Sequence, residues 1–216
     1  MKKLLLPLLL LCSSATFAQD DFEDYKVNTL FNNGSVRASG GYGALTNKLT
    51  TIDGKFVNIA EVYGGWYLNH RFLFGLGVAA STNDIRVPEQ FRAGGNANDR
   101  LTYQYGQGGF ITEYVIGSSK TIHLAFQLFT GVGFTLQYNR HIPEYDPYDD
   151  YRRHAYDEDY FFVAEPGVKL EVNFFKWMRF CPGVSYRSVH NSHGKGLSDD
   201  ALSAISYNAT LKFGKF

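Results

Sequence analysis

The chain has 216 residues, enough for one large domain or two small ones with a sizeable core. Apolar residues make up 44%, aromatics 16% and charged residues 19%, with a mean hydropathy of -0.23, a composition that excludes a disordered chain. The 21 basic side chains balance 21 acidic ones, so the excess of Lys and Arg on which nucleic-acid binders depend is missing and no nucleic-acid partner is expected.

The first element is a leader. Lys2 and Lys3 form a positive start, Leu4 to Leu11 an apolar run broken by Pro7, and Thr16-Phe17-Ala18 ends in a small residue suited to cleavage before Gln19. Residues 1–18 thus read as a cleaved secretory signal peptide, too short to span a membrane. An alternative lipoprotein reading would lipidate Cys12, but Leu9-Leu10-Leu11 lacks the small residue such sites place before the cysteine. Cleavage removes two lysines and no acid, taking the formal charge from 0 to -2, and leaves Cys181 as the one cysteine. A single thiol excludes an intrachain disulfide, and no paired-cysteine zinc spacing exists. No metal and no cofactor are expected. Residues 19–33 form a short segment ahead of one domain over 34–216.

That domain carries period-two hydrophobicity, the signature of strands with one apolar face. Noisier stretches at 34–45, 56–67 and 101–116 accompany clearer ones. Phe72, Phe74, Leu76 and Val78 alternate with Gly75, Gly77 and Ala79. From Thr121 to Tyr138 the even positions run Ile122, Leu124, Phe126, Leu128, Val132, Phe134, while odd ones include His123, Gln127, Gly131 and Gln137. From Tyr160 to Phe174 an apolar even face opposes Glu165, Lys169 and Glu171; Met178, Phe180, Val184 and Tyr186 oppose Arg179, Cys181, Ser185 and Arg187. The last run sets Ile205, Tyr207, Leu211 and Phe213 against Ser206, Asn208, Thr210 and Lys212. The stretch 101–116 changes phase at Gly108-Gly109, where a bulge is expected. Eight strands result.

Connections form an independent pattern. Leu68-Asn69-His70, Gly117 to Lys120, and Phe175-Lys176 are hairpin turns, while 47–54, 84–100, 140–159 and 191–200 read as long loops. Long and short alternate, as in an eight-stranded antiparallel up-and-down transmembrane β-barrel with its long loops on one side.

Over 34–216 the chain resembles small outer-membrane barrels of the OmpA/OmpX type, in particular those of Bacteroidetes. The most suggestive stretch is Gly196-Leu197-Ser198-Asp199 through Leu211-Lys212-Phe213-Gly214-Lys215-Phe216. The resemblance implies the outer membrane of a Gram-negative bacterium, with outer-membrane lipid and the barrel-assembly machinery as partners. Residues 19–33 would then be periplasmic and Phe216 the assembly signal. Phe216 departs from the pattern, being out of phase with Leu211 and Phe213, so either Gly214 carries a kink or Phe213 sets the register.

With apolar faces toward lipid, Arg37, Glu61, Glu113, Glu165, Lys169, Glu171, Arg179, Arg187 and Lys212 fall on the inner face. Mixed signs in so narrow a barrel imply a plugged, salt-bridged interior. Trp66, Tyr67, Trp177 and Phe180 read as aromatics of the membrane interface. The third long loop gathers Glu144, Tyr145, Asp146, Tyr148, Asp149, Asp150, Tyr151, Tyr156, Asp157, Glu158 and Asp159, a candidate extracellular surface for a ligand or protein. His190-Asn191-Ser192 looks like the H-x-S core of lipid A deacylase barrels, in which a histidine activates a serine. His193 stands where that family has Asn, and Ala204 about where it has its acid. The expectation is a non-enzymatic barrel with a structural, adhesive or binding role. A narrow porin-like barrel is the alternative and a lipid A hydrolase the distant one. A soluble lipocalin-like carrier, with its apolar face inward, is the architectural competitor.

Overall fold

The computed structural model divides into two units, Met1–Ser35 and Val36–Phe216. The described residues are 38–69, 71–94, 100–139 and 156–214. The signal peptide, residues 19–33, Arg37, Glu144 to Tyr151 and Phe216 lie outside them.

Among the described residues the second unit holds nine strands, β1 (Ala38–Ile52), β2 (Lys55–Leu68), β3 (Phe72–Ser81), β4 (Ile85–Arg86), β5 (Leu101–Ile116), β6 (Ile122–Asn139), β7 (Tyr156–Phe175), β8 (Met178–His190) and β9 (Ala204–Gly214), with a 3-10 turn at Glu89–Phe91 and a short helix, α1 (Asp199–Leu202). Neighbours pair antiparallel in chain order, β9 returns to β1, and β3 pairs with β5, so eight strands close into an up-and-down β-barrel. β4 is a two-residue addition to the loop end of β5. Closure leaves no long unpaired edge.

The alternation maps directly onto inside and outside. Along β1 the even residues Tyr42, Ala44, Thr46, Lys48 and Thr50 are buried and the odd ones exposed. Outward positions around the ring carry exposed Leu45, Val62, Leu76, Phe110, Phe126, Val132, Val168, Val184 and Leu211, among others. On the eight barrel strands, Glu158 is the one outward Asp, Glu, Lys or Arg among the described residues. An inward apolar face would define a lipocalin-like carrier; here the apolar face points out, which overturns that competitor.

Two expectations about the strands need correction. Residues 47–54 are not a loop: β1 runs to Ile52 and turns through Asp53 (φ 50°) and Gly54 (φ 70°) into β2. Two successive positive φ values are the geometry of a type I′ hairpin turn, for which Asp-Gly is a preferred pair. Residues 46–51 resemble a loop because Leu49 is the one apolar side chain among them, so alternation loses contrast. Nor does β5 bulge at Gly108-Gly109, since its pairing with β3 and β6 runs through without a register shift. Two residues without side chains erase the parity signal while the backbone keeps its phase.

A glycine band crosses the sheet instead, with Gly65 opposite Gly75 and Gly109 opposite Gly131. A Cβ at Gly75 would collide with the Gly64 carbonyl, and one at Gly131 with that of Gly108. The strands approach there more closely than any side chain permits, which sharpens the curvature a small barrel needs.

Candidate functional site

The barrel interior is a stack of charges below an apolar lid. Eight of the nine inner-face charges expected from sequence are described, and Glu61, Glu113, Glu165, Lys169, Glu171, Arg179, Arg187 and Lys212 are all buried inside. Lys48, a member of the same interior on β1, escapes the sequence reading because its segment looks like a loop. Continuing the even parity of Tyr42 and Ala44 would have found it.

Midway along the barrel, Lys48 Nζ lies 2.9 Å from Glu61 Oε1 and donates to both oxygens of Glu165 at 2.9 Å. Glu165 also accepts from Ser185 Oγ at 2.6 Å and Gln107 Nε2 at 3.2 Å. Toward the turn end, Lys169 Nζ donates to the Tyr63 hydroxyl at 2.9 Å, and that hydroxyl donates to Glu113 at 3.2 Å. Lys212 bridges Glu113, at 2.5 Å, and Glu171. Glu171 is further held by Arg179 at 3.0 Å and His123 Nε2 at 2.9 Å. Each of the four carboxylates is thus met by a cation.

Arg187 is held differently. Its Nε donates to Leu202 O at 2.7 Å and its guanidinium to Thr51 O at 2.9 Å, with the charge 4.8 Å above the Tyr105 ring. It joins the wall to the lid by capping the last turn of α1. Cys181 is fully buried on the same inner face. The arrangement offers mutual neutralisation, because an isolated charge in so enclosed a space would be costly.

Ile85, Val87, Leu101, Tyr103, Leu197 and Leu202 are buried at the loop end, where Phe91 packs on them. Gln137 clamps one lid segment, donating to Phe91 O at 2.9 Å and accepting from Ala93 N at 3.0 Å. Carboxylates clamp the other. Asp159 Oδ2 accepts from Ser192 Oγ at 2.9 Å, His193 N at 2.8 Å and Gly194 N at 2.9 Å; Asp157 Oδ2 accepts from Lys195 N at 2.7 Å. Asp199 accepts from the backbone of Asn191 and Ser192. Tyr156, Asp157, Glu158 and Asp159 therefore belong to β7 rather than to a free binding loop. Asp157 and Asp159 are spent on satisfying the Ser192 hydroxyl and the backbone donors of residues 193–195.

The aromatic assignment needs one correction. Trp66 is 68% and Trp177 56% exposed on the outer surface, but Tyr67 is 1% exposed and points inward. Adjacent residues of one strand face opposite sides, so Trp66 and Tyr67 cannot both reach the interface. Phe180 is half-buried and stacks on Phe174 with ring centroids 6.2 Å apart.

The His-x-Ser fragment is not assembled as a dyad. Ser192 Oγ has Asp159 Oδ2 at 2.9 Å and Leu197 O at 2.8 Å as acceptors for its one proton, while His190 Nε2 lies 3.0 Å from Ser188 Oγ and its ring faces Phe162 on the outer surface. Serine and histidine are turned to different partners on different faces.

No family model and no curated protein matches the chain. Among solved structures, Neisserial surface protein A superposes with a TM-score of 0.58 over 82% of this chain and 96% of its own, at 7% identity. A major outer membrane protein of Thermus thermophilus superposes with a TM-score of 0.51 over 81% of this chain and 99% of its own, at 11% identity. At such identities the likeness is one of fold: an all-β antiparallel barrel.

Proposed function

We propose that this chain is a non-enzymatic integral barrel of a bacterial outer membrane, closed along its axis, that presents its loop end for a structural, adhesive or binding role. The observation that carries this reading is the pairing of an apolar outer surface with a charged, ion-paired interior. A protein in water would bury the first and expose the second. Along β6 the apolar face runs from Ile122 to Phe134, about 40 Å of strand at ~3.3 Å per residue. At the tilt usual for membrane barrels this projects to about 30 Å, the thickness of a bilayer's hydrocarbon core.

Fold likeness to a surface protein of Neisseria and an outer membrane protein of Thermus supports the same placement. Bacteroidetes-type origin, the OmpA/OmpX kinship and the assembly role of Phe216 belong to the proposal alone. The filled interior favours a closed barrel over the porin-like alternative, and the separated His190 and Ser192 disfavour a hydrolase. The test is extraction. The mature protein should stay in the membrane pellet through alkaline carbonate and high salt and run at an altered gel mobility before boiling. Release as a folded soluble monomer would refute the placement.

A further inference from the structure

The end of the barrel opposite the lid differs from it in charge. Three turns close that end, joining β2 to β3, β5 to β6 and β7 to β8. They supply the exposed Arg71, Lys120 and Lys176, one cation each, and contain no Asp or Glu. At the loop end, by contrast, exposed Asp53, Glu89, Glu158 and Asp200 mix with Lys55, Arg86 and Lys195.

Each turn is tied to a neighbouring strand. Val115 N donates to Arg71 O at 2.7 Å, Asn173 N to Thr121 O at 2.9 Å, and Gly214 N to Trp177 O at 3.0 Å. Between the β5–β6 and β7–β8 turns lies an open cleft of about 820 Å³. Ser118, Ser119 and Thr121 line one side, and Phe174, Phe175, Lys176 and the Glu171-bound Arg179 the other. Outward aromatic rings border it: Phe175 stacks on Trp177 at 5.5 Å, and Trp177 on Phe213 at 6.2 Å.

We propose that this end is a docking surface for anionic phospholipid, the cleft holding the headgroup phosphodiester of a lipid whose acyl chains lie along the apolar strands. An ammonium and three hydroxyl donors suit phosphate oxygens, and the bordering rings suit the glycerol and first methylenes of the same molecule. A free anion would use the polar half of the cleft and leave the rings idle. The inference rests on the membrane placement proposed above, and its test separates the two.

Trp66 and Trp177 are the only tryptophans of the chain, and both face outward at this end. The full mature protein is reconstituted in equimolar phosphatidylcholine and phosphatidylglycerol, with bromine carried on the chains of one lipid or the other. W66F leaves Trp177 as the sole reporter. Brominated phosphatidylglycerol should quench Trp177 more than brominated phosphatidylcholine, by at least twofold, because one cation at an anionic surface enriches its counter-lipid roughly fivefold. The exposed substitutions Lys120→Gln and Lys176→Gln together should abolish the difference. Equal quenching by both lipids would overturn the docking surface and leave the membrane placement intact. Loss of the preference on adding inorganic phosphate would overturn the lipid in favour of a free anion. If neither lipid quenches either tryptophan, the membrane placement fails, and the docking surface with it.

Discussion

Lys212 holds its ammonium between Glu113 and Glu171 with no exposure to solvent, and those two carboxylates reach on to Lys169, Arg179 and His123. Removing one member of such a set leaves charges buried and unmatched. Lys212→Met should therefore destabilise the barrel by about 3–5 kcal/mol, measured as a lower urea midpoint in detergent. Replacing all three of Lys212, Glu113 and Glu171 by apolar residues of similar volume should recover much of that loss, since a removed set carries no stranded charge. Asp159 acts at the same scale but on one segment. Asp159→Ala leaves the His193 and Gly194 backbone donors without their acceptor and the Ser192 hydroxyl with Leu197 O alone, so limited proteolysis should cut within 191–198 while the barrel core stays resistant. Protection of that segment equal to the parent would show that the carboxylate is not its anchor.

Among elements, the glycine band decides how tightly the sheet curls. Gly131→Val places a branched side chain where the Gly108 carbonyl stands, and should prevent closure, read as loss of the folded gel mobility. Gly43 is the matched control, because a Cβ there meets nothing within 4 Å; Gly43→Ala should fold as the parent does. The same scale shows why some elements are legible in sequence and others are not. β6 and β7 are plain because apolar and polar residues alternate with strong contrast for many positions. The loop-end half of β1 is obscure because Asn47, Lys48, Thr50 and Thr51 leave Leu49 as the one apolar residue over 46–51, so the element that carries Lys48 into the interior looks like a connection. Parity says that Trp66 and Tyr67 must part; aromatic character alone does not.

At the scale of the whole barrel, its described residues fill the axis at two levels, with the buried ion pairs and with the apolar cluster at the loop end, the basis of the proposed closed lumen. Planar bilayers containing the folded protein should show no steady single-channel steps, and repeated unitary openings would overturn the closed-lumen reading. The outer surface sets a second expectation. Val132 is 56% exposed in the apolar belt, and in the proposed bilayer Val132→Arg should cost about 2–4 kcal/mol at mid-depth. If the same substitution were neutral, the belt would not be facing hydrocarbon.

By itself the sequence determined the class of fold, because a period of two sorts residues to opposite faces whatever their neighbours turn out to be. It likewise settled the sign of each face, since Glu165, Lys169 and Glu171 share one parity and Phe162, Val168 and Leu170 the other. Only the tertiary structure decided who meets whom. Lys48 reaches Glu165 from a strand 117 positions away in the chain, and such partners depend on closure and on the stagger between strands, which no single strand encodes. The fate of Asp157 and Asp159 was decided there as well. In sequence they are two more acids in an acidic, tyrosine-rich stretch, and they become anchors because the fold brings the backbone donors of residues 193–195 beside them.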